Sequence, residues 1–170
     1  SSSLTLRNTT LKASADVVAS ERLVLLDSSS TLQSANTSSG LLALDVRSLT
    51  SAGAIRCGTL DANVDHLAMS STSSLTAPVA LQLNGSQFTM EGTATCGSID
   101  IDMPVINIAS SSSMTAVSRL HTDGDALLVD GSNMTCTARG CKIALNCRYT
   151  VTLLGNASVT GSNVSIDTHS

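Results

Sequence analysis

Residues 40–77 lie over residues 79–116 without a gap. The shift of 39 is set by Cys57-Gly58-Thr59-Leu60-Asp61 over Cys96-Gly97-Ser98-Ile99-Asp100, and 12 of the 38 pairs are identical. Most other pairs trade like for like: Leu49 with Phe88, Val64 with Met103, Leu67 with Ile106, Leu75 with Met114. A repeat of this length is a supersecondary unit that cannot bury its apolar face alone. It does so by stacking on its neighbours, so stability propagates along one axis.

Weaker copies extend the pattern in both directions. Leu4, Leu6 and Leu11 match Leu42, Leu44 and Leu49 at a shift of 38, and Ser28 to Leu32 resembles Ser71 to Leu75. Downstream, DGSNMT (130–135) resembles NGSQFT (84–89), while Val151, Leu153 and Val159 follow Ile106, Ile108 and Met114 after an insertion of about six residues. The chain divides into units of about 1–39, 40–78, 79–117 and 118–170, with a cysteine-containing insertion near 136–147. These form a single domain.

Inside one unit the apolar residues keep period 2 in short bursts, which is the pattern of strands. The bursts are Leu81/Leu83, Phe88/Met90, Ala94/Cys96, Ile99/Ile101/Met103, Ile106/Ile108 and Met114/Ala116. Six strands in one unit make two triangular coils. The expected fold is all-β: a parallel β-solenoid of about eight coils of roughly 18–21 residues, arranged as two-coil repeats. The hydroxyl runs SSTSSLTA (70–77) and SSSSMTA (110–116) recur in register, so they are corners of that rod and not linkers.

Composition suits thin repeated layers. Aromatics are 1% and charged residues 13%, against a hydrophobic fraction of 42%, so the chain lacks the low-hydrophobicity, high-charge signature of disorder. The net charge of −4, with nine unclustered basic residues, leaves no footprint for nucleic acid. No apolar run approaches the roughly 18 residues that span a bilayer. The first residues do not form a signal peptide, so secretion has to be inferred from other features.

In this periodicity and composition the whole chain resembles the right-handed parallel β-helix proteins. That group includes surface adhesins, autotransporter passengers and pectin-lyase-like enzymes, and the resemblance implies an architecture, not a particular member.

The sequons carry the main functional signal. Asn8, Asn36, Asn84, Asn133, Asn156 and Asn163 all fit N-x-[ST]. Nine Asn in a chain with 49 Ser and Thr would give roughly three by chance. All six fall at expected corners or strand edges, where a glycan could project. N-glycosylation implies an extracellular or cell-surface location.

Cys57 and Cys96 occupy equivalent positions two coils apart, about 9.6 Å, beyond the roughly 7 Å reach of a disulfide. They are expected to act as small buried residues. Cys136, Cys141 and Cys147 cluster in the insertion. Gly140 favours a Cys136–Cys141 bridge, with Cys141–Cys147 as the rival.

Asp61, Asp100 and Asp102 share an outward face. Asp61 and Asp100, two coils apart, approach the upper end of the roughly 6.5–9.5 Å carboxylate spacing of inverting glycosidases. The repeat places no Lys or Arg beside them and offers no aromatic platform for a sugar, so a solvated face is the expectation. His66, His121 and His169 are non-equivalent and have no evident partners. No G-x-S-x-G marks a nucleophile, and no Cys/His spacing supports zinc. Thr93/Thr95, Thr135/Thr137 and Thr150/Thr152 form Thr-x-Thr pairs of the kind that ice-binding solenoids array, but they do not recur in register through the repeat.

Neither end carries an atypical polar cap, so further coils or a second copy are expected there. The functional expectation is a non-enzymatic subunit of a secreted, N-glycosylated fibre or surface appendage, associating with itself end to end. An adhesin-type binding module is the alternative, and a polysaccharide lyase or hydrolase comes third. No cofactor, nucleic acid or membrane span is implied.

Overall fold

The computed structural model describes residues 3–13, 21–25, 27–109 and 111–169. Among these residues it is an all-β parallel solenoid of about seven turns, with about 21 residues per turn and no helix. Every strand pairing is parallel, and three flat faces follow one another around each turn. Face I stacks 3–6, 22–25, 48–51, 66–69, 87–90, 105–108, 126–129 and 150–153. Face II stacks 10–13, 31–34, 54–56, 74–77, 93–96, 113–116, 133–136 and 158–160. Face III stacks 41–46, 59–64, 80–85, 98–102, 119–124, 142–147 and 163–168.

The residues of each apolar burst point inward, and each inward position stacks into a column of its own. On face III, Leu42, Leu60, Leu81, Ile99, Leu120 and Ile143 lie directly over one another and are buried. A fully buried Leu or Ile contributes about 1.5–3 kcal/mol, so aliphatic side chains repeated on every rung stabilise the rod, with Phe88 the one aromatic in the core. On face II, Ala77, Cys96, Ala116 and Cys136 form a narrow column. Burial pushes the thiols of Cys57 and Cys96 up to about 12.

The two-coil repeat has a geometric origin. Face I rungs begin at Ser48, His66, Gln87, Val105 and Ala126, so short and long coils alternate along the axis. Short coils turn from face I to face II through two residues, 52–53 or 91–92, and long coils through four, 70–73 or 109–112. The next corner differs as well: Gly97 alone separates Cys96 from Ser98, where Val117 and Ser118 separate Ala116 from Arg119. A Cβ on Gly97 would overlap the carbonyl oxygens of Pro78 and Val79 in the wider corner of the preceding coil, so the short corner requires glycine.

The hydroxyl runs are corners with assigned bonds. Ser30, Ser73, Ser112 and Ser132 are buried at the entry to face II. Ser73 Oγ donates to the Ser70 carbonyl at 2.7 Å, and Ser112 Oγ to that of Ala109 at 2.6 Å. Ser110 lies outside the described residues.

Eight rungs on faces I and II close about seven full turns, and the coils are unequal: the step from Ala126 to Thr150 exceeds that from Val105 to Ala126. The structure corrects two details of register. Leu4 pairs with Leu23 and, through it, with Leu49 rather than Leu42, because the intervening coil, from Arg22 to Ser48, is longer than any that follows it. Residues 133–135 stack on 113–115 in face II, so their likeness to 87–89 of face I reflects composition and not register.

Candidate functional site

Face III carries six of the thirteen acidic residues. Asp61, Gln82, Asp100 and His121 occupy one outward column on four successive rungs, so Asp61 and Asp100 are two rungs apart with Gln82 between them. The neighbouring column is an unbroken Asx ladder: Asp45, Asn63, Asn84, Asp102, Asp123, Asn146 and Asp167. Its clearest link is Asn63 Nδ2 donating to Asp45 Oδ1 at 3.2 Å. Stacked amides and carboxylates relieve the repulsion that seven carboxylates would produce, because an amide donates to the anion beside it.

Arg119 lies 3.6 Å from Asp100 across the rungs, both side chains exposed. The basic neighbour that the repeat comparison failed to place comes from the next coil. An exposed pair of this kind contributes about 0–1 kcal/mol. Two open hollows of about 350 Å³ flank the ladder, one lined by Asp61, Gln82, Asn84, Asp100 and Asp102, the other by Asp123, Asp125, Asn146, Arg148 and His169 among others. Among the described residues no group of three or more His, Cys, Asp or Glu is placed to hold a metal ion. The hollows have no aromatic lining, and neither supplies the buried acid that glycoside cleavage uses. The histidines stay apart: His66 is on face I, His121 on face III, and His169 follows the last strand.

All six sequon asparagines are exposed. Asn8, Asn36 and Asn156 sit in corners, and Asn133 and Asn163 open strands. Asn84 departs from the expected placement. It lies in the middle of the strand Ala80–Met90, as a rung of the Asx ladder.

Cys136 is bonded to Cys141, with Cα atoms 5.7 Å apart. Cys57, Cys96 and Cys147 are free and buried. Burial, and then the charges of Asp123 and Asp125, raise the Cys147 thiol.

The Thr-x-Thr pairs do not recur in register, since Thr93/Thr95 lies on face II and Thr150/Thr152 on face I, but single threonines of face II do. Thr76, Thr95, Thr115, Thr135 and Thr160 form one column on five successive rungs. Beside them, two residues earlier on each strand, stand Ser74, Thr93, Ser113, Asn133 and Ser158. The shift of 39 compares alternate coils and joins only Thr76 with Thr115. Aligning single coils, despite their unequal corners, exposes both this grid and the Asx ladder.

No family model matches the chain, and no curated protein or solved structure matches it. Among the described residues no helix is long and apolar enough to cross a membrane.

Proposed function

We propose that the chain is a non-enzymatic structural segment of a secreted, N-glycosylated fibre or surface appendage, continued end to end by further coils or by another copy. The observation that carries this reading is the final coil. Val164 and Ile166 continue columns that are buried on every earlier face III rung, yet they are 40% and 46% exposed. The edge of Asn163–Thr168 offers backbone donors and acceptors to a next strand. The mechanism is mechanical: aliphatic columns hold the rod together, backbone hydrogen bonds run along its axis, and glycans on exposed asparagines keep it soluble.

Electron microscopy of native material, with sedimentation of the purified chain, tests the reading. Filaments or concentration-dependent assembly are expected. Compact monomers at every concentration, with no mass change on deglycosylation, would remove it. A binding module is the second reading, favoured by the flat hydroxyl grid of face II. Specific, saturable attachment by this segment would select it.

A further inference from the structure

We propose that face II binds an ordered water lattice, with its threonine column and the neighbouring column of Ser, Thr and Asn engaging the surface of ice. Residues two apart on a strand point the same way, so the columns are about 7 Å apart and the rungs about 4.8 Å. The grid is therefore periodic in two dimensions. Its rung repeat is close to the repeat of oxygen atoms along one axis of hexagonal ice.

Composition does not account for the grid. Threonine makes up 20 of 170 residues, yet it fills all five successive positions of one column. Earlier positions of that column are Lys12, Gln33 and Arg56, so charge is confined to the rungs before the grid. The corresponding outward columns of face III mix acid, amide, imidazole and alanine.

Most grid hydroxyls are also uncommitted. Corner serines such as Ser73 and Ser112 donate to backbone carbonyls. Within the grid, Ser158 and Thr160 bond each other at 3.1 Å, and the hydroxyls of Thr76, Thr93, Thr95 and Thr115 have no partner among the described residues. Each hydroxyl can donate and accept, as water does. β-Branching restricts threonine χ1, so the array is ordered before anything binds.

Other ligand classes fit poorly. Nucleic acid needs clustered cations, and no charged side chain stands on the five rungs. A small molecule needs a concavity, and both hollows lie along face III. The grid covers roughly 19 by 13 Å, or about 250 Å², well below the about 800 Å² per partner of a stable protein complex. A flat, neutral, periodic array of donors and acceptors is complementary to a neutral lattice of the same character.

The test uses the full chain made in a bacterial host, where Asn133 carries no sugar. Partition into a slowly growing ice front and inhibition of ice recrystallisation are measured for wild type, Thr115→Lys and Gln82→Lys, with circular dichroism establishing that each is folded. Wild type and the face III variant Gln82→Lys are expected to concentrate in ice, and Thr115→Lys to lose at least tenfold in both assays. Exclusion of the wild type from ice overturns the proposal. So does equal partition of folded Thr115→Lys, or adsorption to crystalline chitin or cellulose without partition into ice.

Discussion

Thr122 tests how the core is held together. It is fully buried in the inward column Leu44, Ala62, Leu83, Ile101, Thr122, Leu145. Its Oγ1 has no hydrogen-bond partner. A buried hydroxyl without a partner costs about 1–3 kcal/mol. Thr122→Val keeps the β-branched shape and places a methyl where the hydroxyl was, so the variant should be more stable by about 1–3 kcal/mol. In a chain of this size each kcal/mol moves the melting temperature by about 2–4 °C. Thr122→Ser keeps the hydroxyl and removes a methyl, and is expected to be destabilised by about 1 kcal/mol. Thermal melts by circular dichroism and urea titrations at constant m would measure both. A lower melting temperature for Thr122→Val would refute the reasoning, because it would mean that the hydroxyl makes a bond in the folded rod.

Three further outcomes follow from corners and thiols. Gly97→Ala should destabilise by about 1–3 kcal/mol, read from a urea midpoint, because the added Cβ meets the backbone of Pro78 and Val79, which cannot move aside as a side chain could. Asp27 accepts from Ser29 Oγ at 2.7 Å, from Ser30 Oγ at 2.9 Å and from the Asn8 amide at 3.1 Å, and these bonds lower its pKa from 3.8. The stabilisation is present above that value and is lost as pH falls below it, so the protection of the Asn8 and Ser30 amides, taken relative to the intrinsic exchange rate at each pH, should fall in acid while residues of the central coils stay protected. The buried thiols of Cys57 and Cys96, raised from 9.0 to about 12, keep the fold in its neutral form. Stability is therefore full below pH 9.0 and declines from there towards about 12 as the unfolded chain ionises first; a thiol reagent at pH 8 should label them only after denaturation.

How much of this was legible in the sequence depended on what the shift of 39 compares. It aligns coils of equal length, so it captured the inward partners Leu49 and Phe88, the Cys57 and Cys96 positions and the serine corners. Coils in direct contact alternate between short and long, and an ungapped shift slides past them. Arg119 beside Asp100, the Asx ladder and the threonine column all exist only between adjacent coils. For that reason a neighbouring cation seemed absent, and the threonine column stays hidden behind Thr-x-Thr pairs that do not themselves recur. Coil length itself is set by small features, a lone glycine against Pro78-Val79 or two corner residues against four, whose meaning depends on a backbone that local periodicity does not describe.

Asn133 decides between the two uses of the outer surface. It is a sequon and also a member of the hydroxyl grid, beside Thr135 on the fourth of the five rungs. Asn84 and Asn163 project from face III, and Asn8, Asn36 and Asn156 from corners. Sugars at those five positions leave face II open. A glycan on Asn133 would lie across neighbouring rungs only about 4.8 Å away, and its mobile chain would keep a rigid lattice from approaching Thr115 and Thr135. Mass analysis of the peptide containing Asn133, from chain made by its natural source, separates the cases. A bare Asn133 on a chain glycosylated elsewhere is expected if face II meets a lattice. Full occupancy would mean that the grid serves the rod only as a soluble wall, and would overturn the lattice reading for the native protein even if the sugar-free chain enters ice.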